Sequence, residues 1–316
     1  MTPIAQFPRT TPDGGVSRYD SGTRGGRVSE VVRRRPLISF IVLSCLLSWW
    51  PAVLYAMDAS PLPIASFGPF LAAVIVLGAT GGRAGVRALL RSMVEWRVSR
   101  RAYLLAIGLP LMFSGGAILA NLAWGAAAPS ASDLATWTDI PVTALFVLLI
   151  PGMGGAWEEP GFRGFALPRL EERFGAMAGP LVLGVLWVIW HVPLFLVGQI
   201  LWTDVLVIVA ASVVIASVFH TARESVLVAM IMHATNNAVG GSYASQLFEG
   251  ADQTRLGILT ATVWSLGAAF VLIGMKHASH RDVSDVQVQA PKDQALAKTV
   301  SAASPDGGTV SRCLVC

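Results

Sequence analysis

The chain is built around apolar runs of roughly 17 to 25 residues, the length a helix needs to cross about 30 Å of hydrocarbon. Eight such runs stand out, at about residues 37–57, 61–80, 103–125, 141–159, 177–198, 204–220, 225–241 and 257–275. Water could not be the solvent for all of them. Of 316 residues 54% are hydrophobic and only 13% charged, whereas soluble domains carry about 25% charged residues. The fold class expected is therefore all-α: a polytopic membrane protein of about eight transmembrane helices, with the lipid bilayer as its main partner.

Charge gives an independent test of that count, because Lys and Arg favour the cytoplasmic ends of spans. With the N-terminus inside, eight crossings place every Lys and Arg except Arg255 on the inner side. Asp58, Asp133, Asp139, Asp204, Glu249 and Asp252 then fall in outer loops. The net charge of +4 and the pI near 9.2 follow from this asymmetry. The basic residues are not gathered into a face with interleaved aromatics, so no nucleic-acid partner is expected. Both termini are expected in the cytoplasm.

Three regions follow. Residues 1–36 read as a disordered basic tail with no apolar core of a secretory signal, 37–275 as the transmembrane helical domain, and 276–316 as a second disordered polar tail. Three cysteines, Cys45, Cys313 and Cys316, do not make a disulfide scaffold. The closing Cys313-Leu314-Val315-Cys316 fits the C-a-a-X outline for prenylation, although a multi-spanning protein gains little from a lipid anchor. Arg83, Arg87 and Arg91 recur at helical spacing among Val86, Leu90, Met93 and Val94, which suits either a basic helix on the inner leaflet or a plain positive loop.

Ionisable groups within spans are costly, about 2.5 to 3.5 kcal/mol each on insertion scales, and by default mark function. Here they cluster. The fourth span is expected to end in Trp157-Glu158-Glu159-Pro160-Gly161-Phe162-Arg163, the fifth carries Trp187-Val188-Ile189-Trp190-His191, and the seventh His233-Ala234-Thr235-Asn236-Asn237. His233 and Asn237 are four apart and share one helix face; so do Trp187 and His191, which lets an indole wall one side of an imidazole. Glu159 and Arg163 have the same spacing, but Pro160 is expected to kink or end the helix there, so periodicity does not choose which glutamate faces a cavity. Each piece alone has a structural alternative: a neutralising ion pair, a hydrogen-bonded core histidine, or polar contacts between helices. Jointly, a carboxylate, two imidazoles and an amide make a hydrolytic set. A glutamate beside a histidine can take a proton from water. A second histidine and an asparagine can aim donors at a developing oxyanion. Glu158, His191 and His233 would also serve as a zinc set with water in the fourth position.

These residues resemble the three motifs of the CPBP intramembrane proteases, the group of type II CAAX prenyl endopeptidases and bacteriocin-processing or immunity proteins. The motifs are Glu158-Glu159-x-x-x-Arg163, Trp187-x-x-x-His191 and His233-x-x-x-Asn237, within a core of about 141–241. The resemblance implies that Glu158 activates water with His191, that His233 and Asn237 form the oxyanion site, and that Arg163 holds the glutamate region with Glu159 in support. It further implies a helical fold with a cavity open to the cytoplasm, and leaves a zinc and a metal-free mechanism equally open. Trp187 stands where family members often have Phe. No His-Glu-x-x-His or Gly-x-Ser-x-Gly motif competes.

The expected function is an intramembrane endopeptidase of a bacterial plasma membrane, cutting a membrane-embedded or membrane-tethered protein or peptide. Two rivals use the same cluster: a transporter or proton relay, and a non-catalytic membrane immunity or scaffold protein.

Overall fold

The computed structural model describes residues 27–302, with side chains described over residues 30–277. Among them there is no strand. Six stretches are long and apolar enough to span: Pro36–Tyr55, Arg100–Ala123, Ala131–Leu149, Gly155–Trp190, Asp204–Thr221 and Gly250–His277, with a shorter apolar helix at Gly68–Thr80. The chain is an all-α polytopic membrane protein. Leu46, Leu104, Leu119 and Phe270 are all exposed on its flanks, as side chains bathed in lipid rather than water would be.

In chain order, α1 (Arg27–Arg34), α2 (Pro36–Tyr55), α3 (Gly68–Thr80), α4 (Gly82–Ser92) and α5 (Arg100–Ala123) lead into short α6 (Ala131–Ala135) and α7 (Ile140–Leu149). Then come α8 (Glu159–Gly161), α9 (Leu167–Trp190), α10 (Val192–Leu196), α11 (Asp204–Thr221), α12 (Val226–Asn236) and α13 (Gly250–Ala302). The second expected span starts only at Gly68, because Pro61 and Pro63 precede it. The basic stretch does form a helix, α4, whose Leu89 is buried while Arg83, Arg87 and Arg91 are exposed.

The fourth expected span, 141–159, is not one helix. After Leu149 the chain unwinds through Pro151-Gly152-Met153-Gly154-Gly155, where Gly152 and Gly154 adopt φ of 92° and 155°. Proline and three glycines cannot sustain a helix, and both φ values are left-handed backbone that other residues resist. Glu158 and Glu159 therefore open the next helical segment instead of closing the last. Pro160 sits in the first turn of that segment, where its missing N–H costs nothing. Pro160 was expected to kink or end a helix; it stands at the start of one.

From there the chain stays helical through a π turn at Phe162–Ala166 into α9, which bends at Gly175 (φ 84°). Ser212 Oγ of α11 donates to the Pro180 carbonyl of α9 at 2.9 Å, tying the two helices within a buried interface. α12 passes into a second π turn at Asn237–Tyr243. α13 continues to Ala302, so 276–302 is helical where a disordered tail was expected, although Pro291 lies within it. Most of the expected N-terminal tail and the Cys313–Cys316 motif lie outside the described residues.

Side-chain contacts define two ends of the bundle. At one, Arg33 Nε donates to Ala79 O, Ser225 Oγ to Glu95 O, and His220 Nε2 meets Glu171 Oε1. At the other, Gln199 reaches Tyr55 at 3.4 Å, Asn121 Nδ2 donates to Asp252 O, and Tyr243 Oη to Leu134 O.

Candidate active site

The site is assembled from three helical segments. The Gly155–Glu158 turn and α8 bring the two glutamates, the end of α9 brings Trp187, Trp190 and His191, and α12 brings His233 with Asn237 beginning the π turn. Both glutamates are buried, and Glu159 and Arg163 have no exposed surface at all. Charges that deep in an apolar bundle persist only when paired.

Glu159 supplies the pairing. Its Oε1 accepts from Arg163 Nη1 at 3.0 Å and lies 2.6 Å from His233 Nδ1. The expected spacing of Glu159 and Arg163 is thus realised, one turn apart on the new helix. Arg163 also stacks its guanidinium over the Trp187 ring at 4.3 Å. Glu159 Oε2 and Arg163 Nε and Nη2 have no hydrogen-bond partner among the described residues.

Glu158 is held differently. Its Oε2 accepts the indole N–H of Trp187 at 2.7 Å, which leaves Oε1 uncommitted among the described residues. The Trp187 carbonyl, 2.8 Å from His191 Nδ1, can only accept, so Nδ1 carries the proton and the His191 Nε2 lone pair is free. One tryptophan therefore orients both the acid and the first imidazole. Its ring also walls the histidines, with centroids 5.6 Å from His191 and 5.3 Å from His233, and Trp190 closes the other side of His191 at 4.9 Å.

Glycine makes the close approach possible. A Cβ on Gly155 would overlap His233 Nε2, and one on Gly154 would press on Val147 and sit 3.2 Å from Asn237 Nδ2. The glutamate-bearing turn thus slides directly against the α12 motif.

Trp187, His191, His233 and Asn237 line one cavity of about 400 Å³, together with Gln199 and Gln253 at its rim. Glu158 sits behind this wall, joined to it through Trp187. Two expected pairings, Trp187 with His191 and His233 with Asn237, are present as faces of this void. Sequence reasoning missed the Trp187 N–H as a ligand of Glu158, Glu159 as the partner of His233, and Gly155 as the seat of the imidazole. An aromatic at 187 signalled only a wall; that it is Trp and not Phe was the available hint of a donor.

Glu158 Oε2, His191 Nδ1 and His233 Nδ1 are engaged by an indole N–H, a carbonyl and Glu159, so a metal would have to be held by Glu158 Oε1 and the Nε2 atoms of the two histidines. Among the described residues no group of three or more His, Cys, Asp or Glu converges on a common point.

Residues 137–239 match the family model described as Type II CAAX prenyl endopeptidase Rce1-like, a segment that holds every motif of the site. The chain is similar to that family over this segment, which is about a third of its length. A curated protein of Methanococcus maripaludis (strain S2) named CAAX prenyl protease 2 is 26% identical over 147 residues, covering 43% of this chain. The match takes in 51% of the relative, so the chain spans about half the length of the curated relative it matches. The Rce1-like segment begins just before α7 and ends inside the π turn after α12, so α1 to α5 and α13 frame it from outside the matched region.

Proposed function

We propose that the chain is an intramembrane endopeptidase that hydrolyses a peptide bond of a membrane-embedded or membrane-tethered protein, without a metal ion. The observation that carries this reading is the division of labour around Trp187: its N–H fixes one oxygen of Glu158 and its carbonyl fixes the tautomer of His191. Water placed between Glu158 Oε1 and His191 Nε2 would lose its proton to the carboxylate as its oxygen attacks the scissile carbonyl. Asn237 Nδ2, and His233 through Nε2–H when its ring is doubly protonated, would donate to the oxygen that gains charge, a contribution typically of about 10² to 10³ in rate per donor. Glu158 would then return the proton to the departing nitrogen, restoring both groups. Arg163 and Glu159 do not touch the substrate in this scheme; they orient His233.

The relative's printed name points to prenylated CAAX substrates. An apolar groove of about 430 Å³ between α5, α7 and α12, lined by Ile107, Leu111, Leu145, Leu148 and Ile231, offers room for a lipid-like anchor beside the site. The test is cleavage of a membrane-tethered reporter by the purified, lipid-reconstituted chain. Cleavage should vanish in Glu158→Ala and His191→Ala at unchanged expression. Retained cleavage in both would refute the mechanism; ion or proton flux through liposomes without cleavage would favour a transporter.

A further inference from the structure

His191 sits at the corner where α9 ends at Trp190 and α10 begins at Val192. Through this corner the backbone pairs residues three apart: His191 N donates to Val188 O at 3.1 Å and Leu194 N to His191 O at 2.9 Å. The same pattern would bring the N–H of residue 193 to the Trp190 carbonyl, but residue 193 is proline and has none. Trp190 is buried, and a carbonyl left unpaired in an apolar bundle is costly. Its donor comes from another helix: Trp49 Nε1 of α2 donates to Trp190 O at 2.9 Å. That carbonyl belongs to the peptide plane whose nitrogen is His191 N, so holding it holds the backbone from which the imidazole hangs.

The side chain of Trp190 is held from the same place. Its Nε1 donates to Ser48 Oγ at 3.0 Å, and Ser48 has no exposed surface. Ser48 is fixed in turn: its carbonyl accepts from Ala65 N at 2.9 Å, and a Cβ on Gly68 would overlap its Oγ. Two adjacent residues of α2 thus grip both the backbone and the ring of Trp190, and that ring stands 4.9 Å from the His191 imidazole. Neither Ser48 nor Trp49 lies in the Rce1-like segment 137–239. We propose that Ser48 and Trp49 are positioning residues for His191: α2 supplies the anchor that the α9–α10 corner lacks, and so sets where the His191 Nε2 lone pair points. Neither touches the substrate. The grip is read from geometry; that it serves hydrolysis rests on the peptidase reading above.

The test uses the full chain in lipid and the membrane-tethered reporter, with kcat and KM measured separately. Trp49→Phe keeps a ring and removes the donor. It should lower kcat about tenfold with KM and unfolding temperature near the parent values, since a misplacement of about 1 Å can cost about a hundredfold. The pH dependence of kcat should change shape as well, because His191 takes part in the proton transfers; a smaller folded fraction would only scale it. Pro193→Ala returns the missing N–H. In that background Trp49→Phe should lower kcat only about twofold or less, a coupling that lost packing alone would not produce. Should Pro193→Ala be inactive by itself, the pH profile of Trp49→Phe decides. A parent-like kcat in Trp49→Phe, or a fall that neither changes the shape of the profile nor is relieved by Pro193→Ala, overturns the inference. Glu158→Ala separates the two readings. If it is inactive while Trp49→Phe matches the parent, only the positioning role falls; if it cuts as the parent does, the peptidase mechanism falls and takes the positioning role with it.

Discussion

Glu159 Oε1 lies 2.6 Å from His233 Nδ1 across two helical segments that are 74 residues apart in sequence, and the same oxygen accepts from Arg163. The two glutamates are therefore not interchangeable. Removing Glu159 with Ala strands Arg163 as an uncompensated buried charge, a change that typically costs about 3 to 5 kcal/mol. Glu159→Ala should lower the thermal unfolding temperature in lipid or detergent and lose activity with it. Glu158→Gln, which leaves the Arg163 pair whole, should unfold near the parent temperature and yet be inactive. Melting curves of the two variants beside reporter cleavage check this; equal destabilisation would show that the pairing is not what holds the site.

Trp187→Phe keeps an aromatic wall against both histidines and removes one donor. A hydrogen bond to a charged group is worth about 1.5 to 3 kcal/mol, so the cleavage rate should fall by about tenfold to a hundredfold, with expression intact. The pair Trp187→Phe and Trp187→Ala separates donor from wall. If Phe performs as Trp does, the bond to Glu158 has no part in the rate.

Much of this was legible in the sequence because membrane burial makes polar residues conspicuous. Glu158, His191, His233 and Asn237 stood out as groups that hydrocarbon does not tolerate without cause, and helical spacing put His233 and Asn237 on one face, where both line the cavity. The break at Ile150–Gly154 was not read, because a hydropathy window averages over the glycines and the apolar residues around them hide the unwinding. Nor could spacing assign Glu158 to Trp187 and Glu159 to His233: that depends on the rotation of α8 relative to α9 and α12, a tertiary quantity that no single helix encodes. That the loop at 198–204 and the start of α13 both line the cavity was hidden for a similar reason, since they meet only after folding.

Gly155 tests how closely the glutamate turn must approach α12. A Cβ there would overlap His233 Nε2 with no room to retreat, since Nδ1 of the same ring is held by Glu159. Gly155→Ala should thus disable cleavage more than a typical helix-start Gly→Ala change, which alters stability by at most about 1 kcal/mol. A dose-response of cleavage against enzyme concentration, with folding checked by gel filtration, measures it. Near-parent activity would mean that His233 is free to move.

Metal removal supplies the last discrimination. Glu158 Oε1 and the Nε2 atoms of His191 and His233 are the atoms left for a metal once Trp187 and Glu159 have taken the others. Among the described residues they are not grouped as a metal site, so binding one ion would require the three side chains to draw together. Prolonged dialysis against a strong chelator, followed by assay in chelator, should leave reporter cleavage unchanged, and added zinc should not raise it. Loss of activity on dialysis with recovery on zinc alone would show that the three side chains do converge during turnover, and would replace the glutamate–histidine water mechanism with a metal-centred one.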